Sequence, residues 1–240
     1  ASDAFEDMLV QRMLGHLPML FHPGPVKTAC VVGLGAGVTA GAMGVYDIER
    51  LTAIELEKGV LVASRFFADR NDWVLDNPRL DLRIDDGKNF FRLSREKFDV
   101  IESHPNFPSL TGSGALFSRD FLEQCKAHLA PGGVVCHWSP LFRTRPEDWK
   151  TIVGTFADVF PYVRAFNVGI TTILLGRVEP FPPVDVAELR ARFDRASVGR
   201  SLREVGVRGP LEVLSYYQLD DAEARRMAEG AVRTTDDRPA

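Results

Sequence analysis

Long apolar runs are missing from this 240-residue chain. No stretch approaches the ~18 uncharged residues that a bilayer-crossing helix needs. Cysteine is scarce as well. Cys30, Cys125 and Cys136 form an odd set without CxxC spacing, which argues for reduced thiols in a cytoplasmic compartment and against a disulfide framework or zinc. The five histidines show neither HExxH nor HxH spacing, so no metal is expected. Neither sign of charge is in excess: 29 basic against 33 acidic residues, a net of −4, argues weakly against a nucleic-acid surface. No basic, apolar, small-residue leader precedes the first helix, and the chain opens without Met, so it reads as a fragment or a trimmed chain. Hydrophobic residues make up 45%, enough for one large domain or a domain with an appendage.

What is present is organised around Lys27 to Leu56. A buried strand (Ala29-Cys30-Val31-Val32) leads into a glycine turn (Gly33-Leu34-Gly35-Ala36-Gly37), a helix of small residues, and a second strand ending in Glu55. Glycine alone lets a backbone turn this sharply and leave room for a ligand. An acid about 20 residues beyond such a turn, at the next strand tip, suits the two hydroxyls of a ribose. The dinucleotide fingerprint wants glycine or alanine where Val38 stands, so the match to NAD is imperfect. Asp86-Gly87, at the tip of a third strand, can read the amine and ring nitrogen of adenine. Glycine turn, Glu55 and Asp86 on three successive strand tips form the pattern of S-adenosylmethionine-type binding. Taken singly, Glu55 reads equally as a solvated helix-start acid and Asp86 as a helix N-cap.

The spacing predicts a first helix over residues 3–21, ended by Pro18 and followed by Pro23 and Pro25. Beyond the glycine unit it predicts a helix from Lys58 to Arg70, a strand over Leu80–Ile84, a helix from Lys88 to Arg95 and a strand over Phe98–Ile101. The loop after that strand, PNFPSLTGSG over 105–114, reads as a substrate lid or an ordinary surface connection. An amphipathic helix over 115–129, a turn at Pro131-Gly132-Gly133, a strand over Val134–Trp138 and a helix from Glu147 to Phe160 follow. Tyr162–Asn167 and Thr171–Leu175 close the pattern as an antiparallel hairpin. Strand–helix alternation of this kind specifies an α/β fold with a doubly wound, mostly parallel sheet. From Pro180 the composition shifts to a proline linker and charged amphipathic helices (Val184–Ala196, Pro210–Tyr217, Asp220–Ala228). The expected division is therefore 1–180 as the sheet domain and 181–240 as a C-terminal helical extension, serving as a solvated packing layer or a homodimer contact.

The runs QRMLGHLP, VVGLGAG, AIELE, IDDGKNFF, FDVIESHP and ALFSRDFLEQCKAHLAPGGVVCHW resemble the catalytic domain of spermidine synthases, the polyamine aminopropyltransferases, from about Asp3 to Leu175. The likeness is closer to bacterial spermidine-synthase-like domains that are often fused to membrane transporter-like segments and end in a TDDRP-like motif, here Thr235 to Pro239. The resemblance implies a seven-stranded sheet of the S-adenosylmethionine-dependent methyltransferase type. It also implies decarboxylated S-adenosylmethionine or S-adenosylmethionine as co-substrate, and a small-molecule amine or other acceptor. By that likeness Glu55 holds the ribose, Asp86 and Gly87 the adenine, Gly33, Gly35 and Gly37 the floor beneath ribose and thioether, and Gln11 lies near the substrate amine. The family's acids fall on Arg12, Ala36, His104 and Phe107. His104, an imidazole on a strand-tip loop beside Pro105, reads either as the catalytic group that takes a proton or as a loop histidine filling the space of the acid, and Glu102 either as a second base or, by strand alternation, as pointing away from the cleft. Three functions stay open: aminopropyl transfer, methyl transfer, and an adenosyl-binding domain without turnover.

Overall fold

The computed structural model describes residues 4–108 and 113–238, so residues 109–112 of the expected lid, Asp3 and Pro239 lie outside the described residues. In chain order the elements are α1 (Phe5–Phe21), β1 (Thr28–Val32), α2 (Val38–Gly44), β2 (Arg50–Glu55), α3 (Lys58–Arg65), β3 (Leu80–Ile84), α4 (Gly87–Leu93), β4 (Phe98–Ser103), α5 (Arg119–Ala127), β5 (Leu129–Pro140), α6 (Pro146–Val159), β6 (Tyr162–Val168) and β7 (Thr171–Arg177). The remainder holds α7 (Val186–Phe193), α8 (Ala196–Arg203), α9 (Pro210–Ser215), β8 (Tyr217–Asp220) and α10 (Asp221–Met227).

One eight-stranded sheet runs β3-β2-β1-β4-β5-β7-β6-β8. Strands β1 to β5 pair in parallel, and β7, β6 and β8 join antiparallel, so the sheet is mixed. Central strands covered on both faces read as unbroken apolar runs. Ala29, Cys30, Val31 and Val32 are accordingly all buried. Strand order reverses at the β1–β4 neighbours, which brings the glycine turn beside the loop leaving β4, the place where open α/β sheets leave a crevice.

Several boundaries differ from the sequence reading for physical reasons. Pro18 does not end α1; the helix runs on to Phe21. Proline there removes the N–H that would have bonded the Leu14 carbonyl, and that carbonyl instead accepts from Cys136 Sγ at 3.6 Å. Helix α3 stops at Arg65 rather than Arg70. The next turns unwind because Asn71 Nδ2 bonds Ala36 O (2.8 Å) and Ser64 O (3.0 Å) instead of continuing the helix. Pro131-Gly132-Gly133 does not precede β5; it forms an irregularity within it, with Leu129 opposite Phe98 and Val134 opposite Val100. The C-terminal segment contributes α8 and an edge strand, β8, paired with β6. No helix among the described residues is long and apolar enough to cross a membrane.

Candidate active site

Leaving β1, the chain passes Gly33, Gly35 and Gly37 with φ of +94°, +54° and +81°. These are left-handed conformations that side chains resist. The surroundings of the three differ. A Cβ on Gly35 would meet nothing within 4 Å, and one on Gly33 only the His104 carbonyl at 3.8 Å. A Cβ on Gly37 would stand 2.8 Å from Ser64 Oγ and 3.0 Å from Asn71 Nδ2. Gly33 and Gly35 thus leave room for a ligand, while Gly37 lets α2 start hard against the chain that follows α3. Asn71 and Ser64 both donate to the Ala36 carbonyl, at 2.8 and 3.1 Å, and fix the turn from behind.

Glu55 ends β2 beside this turn and is buried. Its Oε2 accepts from the amides of Leu34 (2.9 Å) and Gly35 (3.3 Å), and its Oε1 from the Glu57 amide (3.0 Å). The carboxylate is therefore oriented by backbone before any ligand arrives. One strand further, the Asp85 amide bonds the Glu55 carbonyl at 3.1 Å. Asp86 caps α4 through Oδ1 on the Asn89 amide (2.9 Å) and is otherwise exposed. Gly87 opens α4 with its Cα so close to β1 that a Cβ would lie 2.6 Å from Val32 Cγ1.

Across the switch point, His104 follows β4 and sits half-buried. Its ring lies 5.2 Å from Trp138, and Phe107 meets the same indole edge-on at 5.5 Å. Trp138 is fixed in turn by Nε1 donating to Thr171 Oγ1 at 3.2 Å. Burial pulls the His104 imidazole down to about 4, so it is neutral at neutral pH. Glu102 is fully buried with no partner for either carboxyl oxygen among the described residues, and burial pushes its pKa well above the carboxylate range. His137 points into an aromatic stack, 5.0 Å from Phe117 and 6.1 Å from Phe156, with neither ring nitrogen partnered among the described residues.

Gln11 is buried on α1, where its backbone carbonyl accepts from Thr39 Oγ1 at 3.1 Å. Arg12 points elsewhere. It pairs with Asp72 and with Glu204 (3.0 Å) and donates to Ser201 Oγ (2.7 Å) and the Arg70 carbonyl (2.9 Å). His16 continues that network, to Tyr46 OH at 3.0 Å and Ser201 Oγ at 2.8 Å, as a packed histidine of the helix. The tail reaches the opposite side of the sheet: Asp236 binds Lys88 Nζ (2.5 Å) and Ser118 Oγ (2.7 Å), tying the first turn of α4 to that of α5.

The structure thus sets the glycine turn, Glu55 and Asp86 on adjoining strand tips and His104 on the neighbouring one, with Gly37 and Gly87 placed by packing. Asn71 and Ser64 were not signalled by any motif. Among the described residues no group of His, Cys, Asp and Glu has metal-holding geometry.

Comparison with known proteins gives a consistent picture. A family model described as the spermine/spermidine synthase domain matches residues 7–179. A spermidine synthase of Dictyostelium discoideum is 37% identical over 159 residues, covering 66% of this chain and 56% of that protein. The chain therefore spans just over half of that relative's length. A polyamine aminopropyltransferase of Sodalis glossinidius (strain morsitans) is 27% identical over 230 residues, covering 92% of this chain and 80% of that one. Among solved structures, a spermidine synthase in complex with the transition-state analogue AdoDATO superposes with a TM-score of 0.75 at 21% identity, over 89% of this chain and 73% of the other. Human methyltransferase-like protein 13 in complex with SAH gives 0.58 at 21% identity, over 85% and 93%. These two superpositions establish the fold.

Proposed function

This chain belongs to the spermine/spermidine synthase family, and from that premise we propose that it is a transferase binding decarboxylated S-adenosylmethionine and passing its aminopropyl group to an amine. One observation carries the reading: Glu55 is locked by the Leu34 and Gly35 amides at the edge of a glycine turn that leaves open space. A carboxylate has about four acceptor sites. Backbone amides take three of these, so Glu55 can receive one ribose hydroxyl as it stands and the second in exchange for the long Gly35 contact (3.3 Å). The free oxygen of Asp86 and the Gly87 amide, one of those a helix start leaves without an internal partner, suit the adenine edge. Gly33 and Gly35 supply the floor.

In this reading the acceptor nitrogen attacks the carbon bonded to the sulfonium, the carbon–sulfur bond breaks, and its electron pair stays on sulfur as a neutral thioether. The new ammonium then releases a proton. His104 is neutral at working pH and stands at the rim of the crevice, where it can relay that proton to water; burial that holds it near 4 prevents it from keeping the proton. Gln11, buried on α1, supplies an amide for the substrate amine.

Ala36 and Phe107, standing where the family has acids, favour a second reading, methyl transfer from S-adenosylmethionine itself. Calorimetric titration with decarboxylated S-adenosylmethionine, S-adenosylmethionine and methylthioadenosine separates the two. The first and third should bind, the decarboxylated form at least as tightly as S-adenosylmethionine. Preference for the carboxylated form would support methyl transfer, and silence with all three would overturn adenosyl binding altogether.

A further inference from the structure

Resting on the adenosyl-binding reading, in which Asp86 and Gly87 face the adenine edge, we infer that Asp236 is a positioning residue for the nucleobase. Through Lys88 it holds the first turn of α4, and with it the free oxygen of Asp86, against the exocyclic amine. The fold shows why such an anchor is needed. Strand β3 lies at the end of the sheet, and its last two residues, Arg83 and Ile84, are exposed. Beyond it, the Asp85 amide still bonds the Glu55 carbonyl at 3.1 Å. Helix α4 then has seven residues, well short of the ~12–15 at which a helix holds by itself in water. Phe90 and Phe91 bury its second turn. The first turn has the close approach of Gly87 to Val32 and the tether on Lys88.

That tether comes from a distant part of the chain. Asp236 Oδ1 accepts from Lys88 Nζ (2.5 Å) and from the Ser118 hydroxyl (2.7 Å). Asp236 is itself held in place, its amide donating to Asp120 Oδ2 at 2.9 Å. Two residues earlier, the Thr234 carbonyl accepts from the Arg119 amide (2.9 Å) and the Thr234 amide donates to Thr155 Oγ1 (3.0 Å). Arg233 Nε reaches Asp158 Oδ2 at 2.8 Å. The segment 233–236 is thus fastened to α5 and α6, and Lys88 carries that fixation across to α4.

Lys88 stands two residues beyond Asp86 in the same turn. A hydrogen bond weakens steeply once its distance and angle leave the optimum, so a loosened turn loses the amine contact first. Glu55 is oriented by the Leu34 and Gly35 amides, with no part of α4 involved. Asp236 therefore acts on the base and leaves the ribose contacts alone.

The test compares methylthioadenosine with its purine riboside analogue lacking the amino group, each titrated calorimetrically into the full chain. The ratio of the two affinities isolates the amine contact. The unaltered chain should prefer methylthioadenosine about tenfold, the scale of one charge-assisted hydrogen bond. Asp236→Ala and Lys88→Met should each reduce that preference about threefold to fivefold, as expected for a partly exposed ion pair, and the double variant no further than either alone. Affinity for the analogue should not change. Both side chains keep contact with water, 45% and 21% exposed, so neither substitution opens a core cavity. Point variants are used because removing the segment would also uncover β6. A preference unchanged in either variant, or equal weakening of both ligands, overturns the inference. Equal binding of the two ligands by the unaltered chain overturns it as well, while leaving the adenosyl site standing. Absence of methylthioadenosine binding at the outset removes the function proposed above, and the inference with it.

Discussion

Replacing His137 with phenylalanine should change how stability responds to acid, and the size of the change follows from its surroundings. The imidazole is about 1% exposed, is flanked by Phe117 and Phe156, and has no partner for either nitrogen among the described residues. Burial lowers it to about 3, with the neighbouring His104 adding in the same direction. In the unfolded chain it titrates near ~6.5. Below that pH the unfolded state takes a proton that the folded state refuses. Stability is therefore fully present above ~6.5 and lost as pH falls, at ~1.4 kcal/mol per unit. Between pH 7 and pH 5 this amounts to about 2 kcal/mol. His16, also lowered to about 3, contributes a loss of similar size. Glu102 works oppositely: burial raises its pKa, so the folded state holds a proton that the unfolded chain gives up above ~4.3, and lowering the pH favours the folded state. All of these groups contribute to the pH dependence of the parent protein, whereas the difference between parent and variant isolates His137. Urea unfolding of both proteins at pH 7 and pH 5, at matched ionic strength, measures it. His137→Phe should gain about 2 kcal/mol relative to the parent on going to pH 5. Parallel behaviour within about 0.5 kcal/mol would refute a buried, uncharged imidazole.

Glu55→Gln should weaken methylthioadenosine binding by one to two powers of ten, about 1–3 kcal/mol for a charge-assisted contact, read by calorimetry; unchanged affinity would remove the carboxylate from the site. Gly87→Ala should cost about 2 kcal/mol because the new methyl collides with Val32, lowering Tm by roughly 4–8 °C in a scan. Gly35→Ala, with open space around it, should cost only about 1 kcal/mol of left-handed backbone strain. Arg12→Met leaves the largely buried Asp72 without its ion-pair partner and should lose about 2–3 kcal/mol by chemical denaturation, less than a fully buried pair because Glu204 keeps half of its surface in water.

What could be read from the sequence was what is local in it. The glycine turn, the acid at the tip of β2 and the Asp86 cap each declare themselves within a few residues, because strand ends and helix starts are written in adjacent side chains. The partners of Arg12 lie 60 and 192 residues away, so its role as a cross-chain anchor had no local sign. Pro18 misled because its usual effect assumes that nothing else will satisfy the carbonyl it abandons, and Cys136 does. Strand β8 is four residues long and exists because β6 offers it a ladder, a condition that propensity does not encode. Asn71 was overlooked because its task is to hold Ala36 across 35 residues.

The ladder between β6 and β8 has a practical corollary for anyone dissecting this chain. A version cut near residue 180 would bare the long flank of β6, a row of unsatisfied amides and carbonyls of the sort that recruits neighbouring molecules. The same cut would strip Arg12 of Glu204 and release the clasp that Asp236 closes over Lys88 and Ser118. Pieces truncated there should aggregate, and a loss of ligand affinity in them would report the damaged edge rather than the pocket.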